Sequence, residues 1–380
     1  MNELLLTNAR IVTRSEVLRG TVRVADGRIV SVESGDTASP GARDWEGDYL
    51  LPGLVELHTD NLERHFVPRP GVRWPGLPAA LAHDAQVAAA GITTVFDALA
   101  LGDVIDGGDR LKNLADMAAA IAEAQDKGYT RAEHFLHLRC ELNYSELLPL
   151  WDRFNDHQRV RLVSLMDHTP GQRQFARLDK CREYYQGKYH LDDAQMDAFI
   201  AQQQEAHARY SVHHRDFIAR SCRERGLPLA SHDDATRDHV MEAADLGMVI
   251  AEFPTTLEAA ETSRERGLAV LMGAPNLLRG RSHSGNVAAG DLARAGLLDI
   301  LSSDYYPSSL LQAAFRMHRD LPDTTLPAAI ATVTHTPATC AGLHDRGEIA
   351  PGKRADVIRA RDCDDLPLVR EVWLAGRRVA

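Results

Sequence analysis

The sequence of 380 residues lacks any hydrophobic run of membrane-spanning length, and it does not start with the basic and apolar segments of a signal peptide. We therefore expect a cytoplasmic protein without a membrane partner. Basic residues are fewer than acidic ones: the 43 Lys and Arg and the 54 Asp and Glu give a net charge of −11. This balance argues against nucleic acid as a partner. A local basic pocket for a phosphorylated small molecule is compatible with an acidic exterior.

Cysteine is also scarce. The five cysteines are scattered, odd in number and never spaced as C-x-x-C. This pattern argues against a disulfide framework or a zinc ribbon, and it fits a reducing compartment.

Both ends of the chain have the pattern of short strands. Near the N-terminus, Asp26-Gly27 separates two alternating runs, which is a strong hairpin signal. Short apolar runs return after residue 356. We predict that residues 1–50 and 348–380 together form one small β-sandwich domain.

The middle of the chain, residues 51–347, repeats a unit of helix, glycine, apolar strand and polar residue. Glycine is the usual residue just past a helix end, and Gly91, Gly226 and Gly267 follow predicted helices. Alternation of helices with buried strands indicates a parallel sheet. About eight such strands predict an α/β fold of the (β/α)8 TIM-barrel type. An open doubly wound sheet is less favoured, because its usual G-x-G-x-x-G motif is missing.

Histidines and carboxylates follow the predicted strands. In such a barrel the active site lies at the carboxyl ends of the strands, and His with Asp or Glu is the ligand set of a divalent metal. The residues at these positions are His58, Asp60, Asp97, Glu141, Asp167, His168, His232, Asp233, Asp234, Glu252 and Asp304.

Single members of this set have simpler interpretations. His58 and Asp60 alone would be a polar strand edge, Asp97 a helix cap or a rim ion pair, and Asp233 with Asp234 caps of the next helix. The arrival of histidines and carboxylates at five strand ends favours a metal site.

The order of motifs along the chain resembles the amidohydrolase superfamily. Pro52-Gly53 precedes the first-strand His58-Thr59-Asp60, and the segment GEIAPGKRAD closes the barrel region at 347–356. The likeness covers essentially the whole chain. Four segments resemble the superfamily members that cleave phosphoric anhydrides in the carbon–phosphorus lyase pathway: HTDNLE at 58–63, MDHTPGQ at 166–172, ASHDDAT at 230–236 and SSDYYP at 302–307.

The resemblance implies two divalent metal ions, Zn²⁺ or Mn²⁺. The ligands His58, Asp60, His168 and His232 would divide between them, Glu141 would bridge them, and Asp304 would be both a ligand and the catalytic carboxylate. Many members have a second His in place of Asp60 and a carbamylated Lys in place of Glu141. One tightly bound and one loosely bound metal therefore stays an alternative.

The resemblance also implies a reaction. A water bound to the metals, deprotonated with the help of Asp304, would attack α-D-ribose 1-methylphosphonate 5-triphosphate and leave the 5-phosphate and diphosphate. A deacetylase or cyclic amidase acting on a C–N bond is the alternative within the superfamily. A non-catalytic metal-binding subunit is a third interpretation, against which the complete set of histidines and Asp304 argues.

Such a substrate requires cationic side chains. The segment 273–286 follows a strand and offers Arg279, Arg281, His283 and Asn286, with glycines that let backbone N–H groups approach phosphate. A solvated surface loop is its alternative interpretation. We predict further substrate contacts at Arg173 and Lys180, while Glu63 is left open between substrate contact, ligand and cap. The region 179–225 is predicted to be a lid or a contact in a homo-oligomer.

Overall fold

The computed structural model describes residues 3–104, 109–175, 178–282 and 285–380. The N-terminal strands are β1 (Glu3–Val12), β2 (Val17–Ala25), β3 (Arg28–Ser34), β4 (Arg43–Asp44) and β5 (Tyr49–Pro52). β2 and β3 pair antiparallel through Asp26 and Gly27, whose φ angles of 49° and 77° are left-handed. The predicted hairpin is confirmed.

Eight parallel strands follow and pair in chain order, so the predicted (β/α)8 barrel is confirmed. A backbone bridge between Thr59 and Asp304 brings the first and last of them together. The strands are β6 (Leu54–Thr59), β7 (Ile92–Leu101), β8 (Glu133–Glu141), β9 (Val160–Met166), β10 (Leu229–His232), β11 (Ile250–Glu252), β12 (Ala269–Gly273) and β13 (Ile300–Ser302).

The C-terminal strands β14 (Val357–Cys363), β15 (Leu366–Leu374) and β16 (Arg377–Arg378) join β1–β5 in a second sheet, as predicted for the two ends of the chain. The chain passes from this sheet to the barrel at Gly53, between β5 and β6. A Cβ atom at Gly53 would lie 2.2 Å from Oγ1 of Thr93, so only glycine fits this crossing. The predicted boundary after residue 50 falls inside β5.

Helices cover the barrel and connect its strands, and among the described residues none is long and apolar enough to cross a membrane. They are α1 (Asn61–Phe66), α2 (Gly76–Ala89), α3 (Asp109–Asp126), α4 (Leu147–Phe154), α5 (Leu178–Tyr189), α6 (Asp193–Ala206), α7 (Val212–Arg225), α8 (Arg237–Asp245), α9 (Leu257–Glu265), α10 (Ala274–Arg279), α11 (Ala289–Arg294), α12 (Ser309–Asp320), α13 (Leu326–Ala331) and α14 (His335–Cys340). A π-helical segment, His207–Ser211, joins α6 to α7.

The inside of the barrel has an apolar floor. Every barrel strand contributes to it, through Val55, Leu57, Phe96, Phe135, Leu162, Ala230, Ile250, Leu271 and Ile300. Because side chains two residues apart on a strand share a face, the next inward positions on β10 and β11 are His232 and Glu252. The alternation therefore places polar groups above the floor, at the carboxyl ends of the strands.

A buried ionic cluster fastens α2 to the barrel. Asp97 accepts hydrogen bonds from His83 at 2.6 Å and from His134 at 2.8 Å, and His134 also contacts Asp84 at 3.3 Å. The interpretation of Asp97 as a strand-end cap or rim ion pair is wrong: β7 continues to Leu101, and Asp97 is fully buried within it. These three side chains have the residue types of a metal site, but each oxygen of Asp97 already accepts a hydrogen bond from an imidazole.

This cluster predicts a loss of stability in mild alkali. Burial lowers the pKa of His134, but the charge of Asp97 and the hydrogen bond to Asp84 outweigh it and raise the pKa to about 9. Since the unfolded value is about 6.5, the stabilisation is complete below pH 6.5 and is lost as the pH rises through 9. The loss is about 3 kcal/mol, at about 1.4 kcal/mol per pKa unit.

Thermal unfolding of His134→Gln between pH 6 and 9.5 tests this expectation. We expect a flatter dependence of Tm on pH than in the wild type, and a lower Tm at pH 6, where Asp97 and Asp84 lose their cation. The control His213→Gln alters an exposed histidine of α7 and should keep the wild-type slope. Equal slopes in His134→Gln and the wild type would contradict a charged His134.

Candidate active site

A pocket of about 210 Å³ opens above the apolar floor. It brings together the carboxyl-terminal parts of seven of the eight barrel strands, all except β7, and the segment after α10. Its lining includes His58, Asp60, Arg110, Arg139, His168, His232, Asp233, Phe253, Arg279, Arg281, Asn286, Asp304 and Tyr305. Residues as far apart in sequence as Asp60 and Asp304 thus share one cavity.

One buried carboxylate orients two of the histidines. Oε1 of Glu252 lies 3.1 Å from Nδ1 of His58, and Oε2 lies 3.1 Å from Nδ1 of His232. Burial lowers the pKa of His58 well below its usual range and that of His232 to about 3. Burial raises the pKa of Glu252, but the charge of His137 and the hydrogen bond from His232 more than offset this and lower it.

The tautomers follow from these charges. An ionised carboxylate only accepts hydrogen bonds, so each neutral imidazole carries its proton on Nδ1. The Nε2 lone pairs of His58 and His232 are left for the pocket. Metal-binding histidines commonly have this arrangement, in which a carboxylate orients the ring through its other nitrogen.

Glu141 holds His168 in the same way. Its Oε2 lies 2.5 Å from Nδ1 of His168, and its Oε1 accepts a hydrogen bond of 2.9 Å from the backbone N–H of that residue. Both oxygens are therefore engaged by His168. The structure thus places Glu141 behind His168. The predicted bridging role would instead require its oxygens to face the pocket.

Asp233 lies beside two of the pocket histidines, His168 and His232. Its Oδ2 is 3.4 Å from Nε2 of His232 and 3.7 Å from Nε2 of His168. Within the described part of the chain this buried oxygen has no hydrogen-bond partner, and burial raises the pKa of the carboxyl to about 7. Two imidazole nitrogens and an unpaired carboxylate oxygen fit a divalent cation.

The simpler interpretation of Asp233 and Asp234 as caps of the following helix is wrong. The cap of α8 is Thr236, whose hydroxyl accepts a hydrogen bond from the N–H of His239.

Asp304 is fixed by the closure of the barrel. Its backbone N–H donates to the carbonyl of His58 at 3.1 Å, and its carbonyl accepts from the N–H of Asp60 at 3.2 Å. Burial and then the nearby charge of Asp60 raise the pKa of Asp304 to about 7. A carboxyl group with such a pKa can accept a proton near neutral pH.

A second buried carboxylate supports this corner of the pocket. Glu56 accepts hydrogen bonds from the backbone N–H groups of His58 at 2.7 Å and Ser303 at 2.5 Å. It therefore ties the end of β6, which carries His58, to the residue before Asp304.

Glu63 is placed beside the pocket and contacts a pocket residue. Its Oε2 accepts a hydrogen bond of 2.9 Å from Nε of Arg110, and Nη2 of Arg110 lies 3.4 Å from Oδ2 of Asp60. Glu63 thus orients a cation of the pocket wall.

The predicted substrate contacts divide into two groups. Arg279, Arg281 and Asn286 line the pocket, although Arg279 ends the short helix α10 and does not lie in a loop. His283 lies outside the described residues. Arg173 bonds Asp234 and the carbonyl of His232, so it fastens the segment after β10. Lys180 pairs with Glu183 at 2.6 Å on an exposed face of α5, away from the described lining of the pocket.

Sequence reasoning missed the shared role of Glu252 and the presence of Arg139 and Arg110 in the pocket. A signal for Arg139 was present: His137, Arg139 and Glu141 alternate along β8, so an inward Glu141 implies an inward Arg139. The sequence carries no comparable signal for Arg110, which comes from α3.

Comparison with known proteins finds a family model and individual proteins that match this chain. The model of a family described as the amidohydrolase family matches residues 78–380. The chain is 55% identical over 377 residues to alpha-D-ribose 1-methylphosphonate 5-triphosphate diphosphatase of Escherichia coli (strain K12), covering 99% of this chain and 100% of that protein.

More distant likenesses agree with the fold. Imidazolonepropionase of Deinococcus deserti is 26% identical, with 99% of this chain and 97% of that protein covered. The structure of N-acetyl-D-glucosamine-6-phosphate deacetylase from Mycobacterium smegmatis superposes with a TM-score of 0.62 at 19% identity, with both chains covered completely.

Proposed function

Because the chain belongs to the amidohydrolase family, we propose that it hydrolyses α-D-ribose 1-methylphosphonate 5-triphosphate to the 5-phosphate and diphosphate. The observation that carries this proposal is the 55% identity over the full length to a diphosphatase of that substrate. The pocket supports it, since its lining combines histidines and carboxylates with four arginines, Arg110, Arg139, Arg279 and Arg281.

We propose that this pocket holds divalent metal ions, Zn²⁺ or Mn²⁺. His168, His232 and Asp233 would hold one ion, and His58, Asp60 and Asp304 would hold a second. When bound, such ions polarise water and neutralise phosphoryl charge. Glu252 and Glu141 act on the other side of the histidines and keep each Nε2 turned to the pocket.

In the proposed reaction Asp304 is the general base. A water oxygen forms a bond to the phosphorus nearest the ribose, and its proton passes to the carboxylate of Asp304. The bond from this phosphorus to the bridging oxygen breaks, and its electron pair leaves with the diphosphate. The closure of the barrel places Asp304 for this role beside His58 and Asp60.

Arg279 and Arg281 are proposed to bind the outer phosphates. Both side chains are exposed at the rim of the pocket, where they can bind the substrate without touching the attacked phosphorus. Such uniform binding changes the Michaelis constant and leaves kcat nearly constant.

We expect Arg279→Ala and Arg281→Ala each to raise KM about tenfold, equivalent to about 1.4 kcal/mol of binding, with kcat within about twofold of wild type. Steady-state kinetics of diphosphate release measure both constants. Arg294→Ala is the matched control, since Arg294 is an exposed arginine of α11 paired with Asp291. Unchanged KM values would make Arg279 and Arg281 surface residues only.

Product analysis separates the two chemistries that the barrel can perform. Incubation of the metal-loaded protein with the ribose triphosphate, followed by phosphorus NMR, should show diphosphate and a sugar 5-phosphate in equal amounts. N-acetylated sugar phosphates and cyclic amides should stay intact. Cleavage of those C–N compounds without any phosphorus product would reject the proposal in favour of an amidohydrolase in the literal sense.

The remaining expectations from the sequence stay proposals. Residues 1–50 and 348–380 are proposed to form one small domain and residues 51–347 another. We further propose a cytoplasmic protein that uses neither nucleic acid nor a membrane, and in which α5 to α7 serve as a lid or a contact between copies.

A further inference from the structure

Strand β8 carries a buried arginine inside the barrel. Arg139 follows His137 by two residues and precedes Glu141 by two, so the three side chains share one face of the strand. The side chain of Arg139 lines the pocket beside His168, His232 and Asp304. Only 9% of Arg139 is exposed, so its charge is almost completely removed from bulk water.

The guanidinium of Arg139 has an unpaired nitrogen. Among the residues described, Nε of Arg139 has no hydrogen-bond partner. Neighbouring arginines differ: Arg110 bonds Glu63 and Asp60, and Arg173 bonds Asp234. A buried cation with unpaired donors is unfavourable for stability. Its presence is explained if an anionic ligand completes its hydrogen bonds.

The shape of the cavity indicates which part of a ligand would do so. A second recess of about 170 Å³, walled by Tyr184, Tyr185 and Tyr189, adjoins the main pocket. Arg139 and His168 line both spaces. Arg139 therefore lies at the junction, next to the proposed metal ligands, where the central part of an elongated ligand would pass.

Resting on the proposed function, we propose that Arg139 is a catalytic residue whose guanidinium binds the non-bridging oxygens of the attacked phosphoryl group. Its planar fork of N–H groups matches two such oxygens. As the water oxygen bonds to phosphorus and the electron pair of the breaking P–O bond leaves with diphosphate, the guanidinium stays protonated. It stabilises the negative charge on the oxygens around the phosphorus in the transition state.

The test uses the variants Arg139→Met and Arg139→Lys in the metal-loaded protein. Methionine keeps most of the length and removes the charge, whereas lysine keeps the charge and removes the fork. Arg161→Met is the matched control, because Arg161 is an exposed arginine at the start of the neighbouring strand β9. The measurements are kcat, KM, metal content, Tm and, by calorimetry, the affinity for inorganic phosphate, which stands for the attacked phosphoryl group.

For Arg139→Met we expect kcat to fall at least about 100-fold and the affinity for inorganic phosphate to fall about tenfold. Its metal content should be unchanged and its Tm close to that of wild type, because within the described residues Nε of Arg139 has no hydrogen-bond partner to lose. The kcat of Arg139→Lys should be at least about tenfold higher than that of Arg139→Met, since lysine restores the charge. Arg161→Met should behave as wild type.

Two results would overturn this role. A lower Tm together with lost metal in Arg139→Met would make Arg139 a structural residue, and kinetic constants within about twofold of wild type would exclude contact with the reacting group. Failure of the proposed function itself is distinguishable. In that case the wild type releases no diphosphate from the ribose triphosphate, while calorimetry with inorganic phosphate still decides whether Arg139 binds a phosphate anion.

Discussion

Replacing Asp304 by Asn should lower kcat at least about 100-fold, the lower end of what a general base contributes. The amide keeps the shape of the side chain and can still hold a ligand position, but it cannot accept the proton of the attacking water. Because the backbone of Asp304 is fixed by hydrogen bonds to His58 and Asp60, the fold around it should be preserved. Metal content and Tm should therefore remain close to wild type.

Steady-state kinetics with metal analysis of the same samples check this expectation. Asp320→Asn is the control, since Asp320 is an exposed carboxylate of α12 that pairs with Arg316 four residues before it. Turnover of Asp304→Asn within about threefold of wild type would assign the base to another group. Asp233 is the next candidate, since burial also raises its pKa to about 7.

Replacing Glu252 by Gln should weaken metal binding about 10- to 100-fold, the usual effect of losing a carboxylate that orients a ligand histidine. The carboxylate accepts from Nδ1 of both His58 and His232. A glutamine has one accepting oxygen, and its NH2 group would face the N–H of the second imidazole. One histidine must then rotate or shift its proton to Nε2, which removes its lone pair from the pocket.

Competition with a coloured chelator measures the affinity of each variant for zinc. Glu261→Gln, a change of an exposed carboxylate of α9, should leave it unchanged. If Glu252→Gln also leaves the affinity for zinc unchanged, the carboxylate of Glu252 does not orient the ligand histidines. A loss far above about 1000-fold would identify Glu252 as a direct ligand, since outer carboxylates have smaller effects.

The periodic part of the fold could be predicted because local rules decide it. Left-handed glycine ends the helix before β10, as Gly226 shows with φ 64°, and the strands between such stops are buried runs. The hairpin at Asp26-Gly27 follows from the same local chemistry. The sequence predicts the end of β7 too early, at Asp97, because a charged residue is not expected inside a buried strand. Its partners His83 and His134 come from other elements, so no window of sequence around Asp97 contains them.

The sequence predicts many residues of the candidate site, but it predicts their roles less well. His58, His168, His232 and Asp304 meet because every strand end lies on one rim. Arg173 and Lys180 were predicted as substrate contacts because they follow His168 in the sequence. In the structure Arg173 bonds to Asp234 and Lys180 pairs with Glu183. The positions of Glu141 behind His168 and of Asp233 beside His168 and His232 depend on which way each carboxylate turns at the end of its strand, and tertiary contacts decide this.

Hydrolysis in water enriched in oxygen-18 tests the central claim most directly, namely attack on the phosphorus nearest the ribose by a water in this pocket. Mass spectrometry of the products should find one labelled oxygen in the sugar 5-phosphate and none in the diphosphate. Label in the diphosphate, or release of single phosphates from the end of the chain, would contradict the proposed geometry of the site.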